Sequence, residues 1–513
     1  MSFSRVFSAQ TLGLKGFPIS VETDITKNTL HAFSLVGLPD KAVEESKDRV
    51  SSAIKNSAFV APKSQNQKIV ISLAPAEIKK EGSHFDLAIA IGYLISDGQL
   101  VGHTDDTMFL GELGLDGELR PMRGTLAMVL AAKDAGFKKI IVPTHNKNEA
   151  LLVRNIEILP AKDLRMVIDH VSANKEFRIE PGALDPKVER PLRDGIDLAD
   201  IRGQDHAKRG LIIAAAGGHN MLLFGPPGTG KTMLARAAQS LLPPLEETEQ
   251  IEVTSIHSIA GTLREPIITE APFRAPHHTS SYVAIIGGGT SPRPGEVTLA
   301  HRGILFLDEF PELDKRVIES LREPIEEGTI TIARAKGSEQ FPAQVILIAA
   351  MNPCPCGHQG STTKRCTCSP NDIHRYQKKI SGPILDRIDI SLQVREVPYE
   401  KLEAKEKEGM TSEEARETVS RARSRIRMRA EKAGINARSN SELRAKDLET
   451  IAPLSDACKK LLRMSAERLG LSARSYHRII KLARTIADIE GVENITETHI
   501  LEALQYRPKL KEG

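Results

Sequence analysis

The run Gly225-Pro226-Pro227-Gly228-Thr229-Gly230-Lys231-Thr232 carries the strongest chemical signal in the chain. Its glycines let backbone N–H groups close around an anion without a clash from Cβ. A helix expected over 233–240 would add the partial positive charge of its N-terminus. Lys231 is spaced to reach the β- and γ-phosphates of a nucleoside triphosphate, and Thr232 to offer a hydroxyl to Mg²⁺. The apolar run Met221-Leu222-Leu223-Phe224 just before it reads as a buried strand. Strand, glycine-rich turn and helix together imply ATP with Mg²⁺.

A second constellation follows at Gly303-Ile304-Leu305-Phe306-Leu307-Asp308-Glu309. Four apolar residues in a row predict a strand buried on both faces, ending in two carboxylates. Open α/β sheets take their ligands at that end. Asp308 is suited to holding Mg²⁺ through water, and Glu309 to orienting and deprotonating an attacking water. A third strand, Val345-Ile346-Leu347-Ile348-Ala349-Ala350, leads into Met351-Asn352-Pro353. Asn352 is a polar group at a strand end, where it would feel a γ-phosphate; an Asn-Pro pair by itself signals only a turn.

Four of the five cysteines lie in two C-x-C pairs, Cys354/Cys356 and Cys366/Cys368, nine residues apart. Four thiolates so spaced can surround one tetrahedral Zn²⁺. Unligated buried cysteines are the alternative, although these rarely cluster in a loop rich in Gly and Pro.

These groups need elements to position them. At 513 residues the chain has room for about three domains. Short apolar strands alternate with helical segments over about 194–398, as in a parallel α/β sheet. Lys68–Leu73 and Lys138–Pro143 read as strands, and Asp86–Ile95 as a helix. Pro181, Pro186 and Pro191 among charges suit an extended linker, and beyond about 400 the chain is helical and charged. Leu211–Phe224 is broken by Gly217, Gly218, His219 and Asn220, so no membrane span is expected. Met1–Arg5 opens no apolar signal core, and the expected compartment is a reducing cytoplasm. Net charge is only +3, so any nucleic-acid contact must come from local clusters. With no Trp and 4% aromatic residues, base-stacking platforms are disfavoured.

Together with Ile201-Arg202-Gly203-Gln204-Asp205, these motifs resemble an AAA+ ATPase. The segments Pro272-Phe273-Arg274-Ala275-Pro276-His277-His278, Asn352-Pro353-Cys354-Pro355-Cys356-Gly357 and Ser381–Asp389 narrow the resemblance to the YifB/ComM family of magnesium-chelatase-like proteins. The resemblance runs over essentially the whole chain. It implies an α/β fold with four parts: a Lon-protease-like α+β domain over 1–168, a linker over 169–193, an AAA+ P-loop core over 194–398 and a C-terminal helical lid over 399–513.

The resemblance also implies roles. Arg387, in Leu385-Asp386-Arg387, matches an arginine finger supplied to a neighbouring subunit, which makes a homo-oligomer, expected as a hexamer, part of the mechanism. Arg474, in Leu471–His477, resembles sensor 2, and Asn352 sensor 1. A surface ion pair is the alternative for each arginine. An insertion is expected at about 255–298, and a hairpin of the pore-lining kind near 329–336. Arg334 and Lys336 would share one face of that hairpin as DNA phosphate contacts, or as charges guarding a solvated edge. In the C-terminal part, Arg421, Arg425, Arg429 and Lys432 share a helical face that suits DNA phosphates or plain solvation.

The segment Gly111–Pro121 with Ala131–Gly136 resembles the Lon proteolytic domain, which uses a Ser–Lys pair. Here His84 stands at the nucleophile position, beside Ser83, and Leu126 at the lysine position, so an inactive scaffold is expected. Likeness to ComM implies a DNA motor acting in branch migration. A metal-insertion ATPase of the magnesium-chelatase type and a protease-related remodeller are the other readings.

Overall fold

The computed structural model describes residues 3–172, 179–182, 196–289, 292–334, 337–398 and 409–507. It resolves into two compact units, one formed by residues 1–190 with 247–268 and the other by 191–246 with 269–513.

The first unit is built on a seven-stranded mixed sheet. Its order is Ala32–Val36, Gln67–Ala74, Lys15–Lys27, Phe3–Leu12, Thr107–Phe109, Lys139–Pro143 and Glu157–Ala161. The long strands Phe3–Leu12, Lys15–Lys27 and Gln67–Ala74 pair antiparallel, and the outer strands run parallel to their neighbours. Gln67–Ala74 alternates buried and half-buried positions, the period-2 pattern of a strand with one face on a core. The helix Asp86–Asp97 is almost wholly buried and packs its Leu87, Ile89, Ile91 and Leu94 into that core.

Beside His84, which stands at the expected nucleophile position, the Ser83 hydroxyl donates to the Glu112 carboxylate. Leu126 is fully buried and gives its backbone N–H to Glu149. The one buried lysine nearby in sequence, Lys80, donates to the backbone carbonyls of Pro75 and Ile78. Ser83 therefore has a carboxylate for a partner, and the Lys80 ammonium is engaged by backbone carbonyls.

The helix Glu247–Ala260 belongs to this first unit although its sequence lies in the middle of the second. Ile251 packs against the cluster around Leu126, Met128 and Val129. Ser258 donates to Glu149 and accepts the Gly124 N–H at 2.8 Å. Burial raises the pKa of Glu149, and the bonds from Ser258, Leu126 and Asn146 counter it.

The second unit holds a five-stranded, all-parallel sheet in the order Phe273–Arg274, Ile304–Leu307, Ile346–Met351, Met221–Phe224, Ile390–Gln393. Met221–Leu223, Ile304–Leu307 and Ile346–Met351 are buried along their whole length, as strands covered on both faces must be. An antiparallel hairpin joins Thr329–Arg334 to Gly337–Pro342. Lys336 lies outside the described residues, and the Arg334 side chain is likewise not described.

Helices Ser412–Lys432, Asp456–Leu469, Ala473–Glu490 and Glu497–Gln505 complete the unit. The first opens with a capping box in which Thr411 and Glu414 satisfy each other's backbone N–H groups. The expected arginine row on this helix is redirected by long-range partners. Arg429 forms a fork on Asp488, with one bond of 2.7 Å, and Arg425 donates to the Asp488 carbonyl at 2.7 Å. Arg423 closes the carbonyl end of the helix Asp205–Gly217 through Ala215 at 2.8 and 2.9 Å. Arg421 and Arg425 are both exposed and Arg429 is half-buried; Arg421 donates to Thr418 within its own helix. Arg425 and Arg429 are thus tied to Asp488 by intrachain bonds and do not stand free as a row.

Asp488 is 1% exposed and also meets Arg484 at 3.1 Å and Asn440 at 2.9 Å. Removing it would strand the buried Arg484 guanidinium and the half-buried Arg429. Asp488→Ala is expected to destabilise the helical part by about 3 kcal/mol in denaturant melts followed by circular dichroism. Arg421→Ala should stay within about 0.5 kcal/mol of the parent; equal losses would mean that the network carries no stability.

Candidate functional site

The parallel strands of the second unit deliver their chemistry at one end, around a cavity of about 390 Å³. Its lining is Pro227, Gly228, Gly230, Lys231, Thr232, Met233, Asp308, Glu309 and Asn352. Residues from three separate strands therefore meet at the N-terminus of the helix Lys231–Ser240. Gly225 is required by proximity: a Cβ there would sit 2.1 Å from the Val394 carbonyl oxygen. Of the remaining turn residues, Pro226 turns its carbonyl inward, accepting from Thr229 at 2.9 Å.

The Lys231 ammonium is held by the carbonyls of Gly225 at 2.7 Å and Pro226 at 2.9 Å, and by Asn352 Oδ1 at 3.2 Å. Burial lowers its pKa, and the charge of Asp308 counters that shift. Thr232 donates to Asp308 at 3.0 Å. A hydroxyl and a carboxylate at that spacing are hard oxygen donors of the kind Mg²⁺ prefers. Glu309 sits in the left-handed region, at φ 49° and ψ 41°, an uncommon conformation for a non-glycine residue and one that clusters at functional sites. Its carboxylate meets His278 Nδ1 at 2.9 Å. This contact went unread in the sequence, where His277-His278 stood only as part of a motif.

Arg387 and Arg474 do not line this cavity. They come together elsewhere in the unit, on one carboxylate: Arg387 donates to Glu326, with its Nε at 3.0 Å, and Arg474 donates to the other oxygen of the same group. The pKa of Glu326 balances partial burial, which raises it, against both guanidiniums, and comes out below the usual range. The backbone around Arg387 is clamped by Arg478, which donates to the carbonyls of Asp386 and Ile388 and is 7% exposed. Asp389 bonds His219 at 3.1 Å, and His219 bonds Thr485 at 2.8 Å. The arginine pair is thereby fixed to the helix Ala473–Glu490.

The cysteines form a second centre. The Sγ atoms of Cys354, Cys356, Cys366 and Cys368 all lie within 4.8 Å of one another, with separations such as 3.4, 3.6 and 3.7 Å. A tetrahedral zinc with bonds of about 2.3 Å needs sulfurs about 3.8 Å apart, so the four thiols fit that ion. Burial pushes Cys354 up to about 12, whereas backbone N–H groups of His358 and Thr367 draw Cys356 down to about 5. Glu396 pins the loop between the pairs through Ser361, Thr362 and Thr363, and those bonds hold its own pKa to about 2. At Gly357, φ is +81° and a Cβ would lie 2.9 Å from Pro227 Cδ. The cysteine loop thus rests directly on the phosphate-binding turn.

Comparison with known proteins is consistent along the chain. The family model described as "Magnesium chelatase, subunit ChlI" matches residues 197–402. "Subunit ChlI of Mg-chelatase" matches 21–146, and "Magnesium chelatase, subunit ChlI C-terminal" matches 409–507. The competence protein ComM of Haemophilus influenzae is 41% identical over 514 residues, covering 100% of this chain and 98% of that protein. The uncharacterized protein YifB of Escherichia coli is also 41% identical, over 99% of this chain and 97% of its own length. An uncharacterized protein of Mycobacterium tuberculosis, Rv2897c, is 38% identical over 99% of both chains.

The cavity's geometry makes one variant decisive. Glu309→Gln keeps shape and removes the base, so nucleotide affinity should hold, by titration with a fluorescent ADP analogue. Turnover should fall by about 10² or more. Undiminished turnover would take water activation away from Glu309.

Proposed function

Because this chain belongs to the ComM/YifB family of magnesium-chelatase-like AAA+ ATPases, we propose that it is a ring-shaped motor that hydrolyses ATP at seams between neighbouring copies and acts on DNA. The work proposed for it is branch migration during recombination of incoming DNA. A competence role is what the name of the Haemophilus influenzae relative supports.

One observation carries the seam. The cavity lining offers a single cation, Lys231, against two carboxylates, Asp308 and Glu309. A triphosphate brings further negative charge, which grows on the γ-oxygens as the bond to the leaving phosphate breaks. The guanidiniums that would meet that charge, Arg387 and Arg474, are held together on Glu326 and are absent from the lining of their own cavity. A neighbouring copy is the source that restores the balance.

Within one site the steps follow from the side chains. Backbone N–H groups of 228–232 cradle the phosphates, and Lys231 exchanges its bonds to the Gly225 and Pro226 carbonyls for phosphate oxygens. Thr232 and Asp308 would hold Mg²⁺, whose charge neutralises the phosphate oxygens. Glu309 orients a water in line with the γ-phosphorus and takes its proton, with His278 restraining the carboxylate. Asn352, bonded to Lys231, reads the γ-phosphate. Arg387 of the next copy draws negative charge from the transferring group.

The four cysteines are proposed to hold a structural zinc, which would keep the loop after Asn352 seated against Pro227. Thiols left free to bind metal suit a reducing cytoplasm. No helix among the described residues is long and apolar enough to cross a membrane.

A panel of DNA structures tests this reading. With ATP and Mg²⁺, forked or four-way DNA at low salt should raise turnover several-fold, and Arg387→Ala should lower it by about 10³. Turnover indifferent to every DNA in the panel, together with no binding to any of them, would remove the DNA motor.

A further inference from the structure

Beside the nucleotide cavity lies an open groove of about 510 Å³ that none of the motifs accounts for. One wall comes from the segment after Glu309: Pro311, Glu312, Leu313, Lys315 and Ile318. The other is the helix Pro370–Gln377 and its exit: Asn371, His374, Arg375, Lys378 and Lys379. Pro311, Leu313 and Ile318 form a buried apolar floor, while Lys315, His374, Arg375, Lys378 and Lys379 stand exposed above it.

We propose that this groove binds the phosphodiester backbone of a DNA strand and reports its presence to the nucleotide site. The inference rests on the DNA reading above and names a contact surface for it.

Charge supports the occupant. The whole chain carries a net +3, yet residues 354–379 alone hold five Lys and Arg against one Asp. Within the groove Lys379 is neutralised by Glu312 at 2.8 Å and Arg375 by Asp372 at 2.7 Å. Lys315 and Lys378 have no carboxylate partner among the described residues, so the groove keeps two uncompensated ammonium groups. Lys364 and Arg365 add two more exposed cations on the loop between the cysteine pairs. The four thiols of that loop lie close together, and Ser369, directly after Cys368, caps the helix. A compact cysteine turn feeding a cationic helix presents charge to a polyanion. An apolar floor under an ammonium rim also lets sugars and base edges pack where the phosphates cannot reach.

The inner face of the same helix carries the report. Tyr376 is buried and its oxygen is bonded by the Asn352 backbone. Gln377 donates to the Pro353 carbonyl at 3.3 Å. Residues adjacent in sequence therefore touch the groove on one side and the Asn352 loop on the other, and Asn352 bonds Lys231. A strand that shifts the helix shifts the residue that contacts the γ-phosphate.

The test uses the full-length protein with Lys315→Glu and Lys378→Glu combined, the pair Lys315→Arg and Lys378→Arg as its charge-preserving counterpart, and forked DNA as the probe. The salt dependence of DNA affinity is measured alongside ATPase without DNA and assembly size. Each phosphate contact contributes about 0.9 to the log–log salt slope on duplex. The charge reversal should flatten the slope by about 2, weaken binding at least tenfold near 100 mM salt and abolish DNA stimulation. ATPase without DNA and assembly size should be unchanged, and the arginine pair should behave as the parent. Parental affinity and slope in the reversal variant would overturn the groove while leaving the DNA reading intact. Lost assembly with intact DNA binding would overturn it in favour of an interface between copies. A parent protein that binds no DNA would end the DNA reading and the groove's occupant together.

Discussion

The nucleotide cavity does not hold enough positive charge for the anion it is shaped to receive. It has one ammonium, Lys231, and two carboxylates, Asp308 and Glu309. The rest of the ATPase unit can be understood as a response to that deficit. The helix N-terminus and the glycine turn supply partial charges, and Thr232 with Asp308 supplies donors for a divalent cation. The guanidiniums are kept apart, paired on Glu326, where they neither collapse onto Asp308 nor meet the phosphates of their own chain.

The proposed role of Arg387 would require stiffness around it, and buried polar bonds supply that stiffness. Arg478 grips the carbonyls on both sides of Arg387, and Asp389 leads through His219 to Thr485 and Asn440. Asn440 in turn reaches Asp488, the anchor of Arg429 and Arg484. The last parallel strand, the finger and the C-terminal helices thus form one connected network. Such a network can move as a body, as the proposed coupling between neighbouring copies would require.

Legibility in the sequence followed the range of the interactions. The phosphate turn and the Asp308–Glu309 strand are local: strand, turn chemistry and helix start fall within a few residues, so their pattern could be read directly. The cysteine pairs were visible for the same reason, whereas the hairpin near 329–336 came from the family resemblance. The bonds of Arg425 and Arg429 could not be read because their partner, Asp488, lies about sixty residues away in sequence, and charge spacing on a helix says nothing about a distant carboxylate. Glu326, His278 and the attachment of Glu247–Ala260 to the first unit were hidden likewise, each set by tertiary contact. The groove left a trace, five cations against one acid over 354–379, masked by the cysteines among them, which read first as metal ligands.

The central claim is that each hydrolytic site draws its cradle from one copy and its guanidinium from the next. Mixing two inactive variants tests it most directly: Arg387→Ala, with an intact cradle, and Glu309→Gln, with an intact finger. Combined in equal amounts and allowed to reassemble, they should regain a substantial fraction of parental ATPase, since some seams pair a working cradle with a working arginine. Mixtures that assemble yet stay as inactive as their components at every ratio would contradict the account.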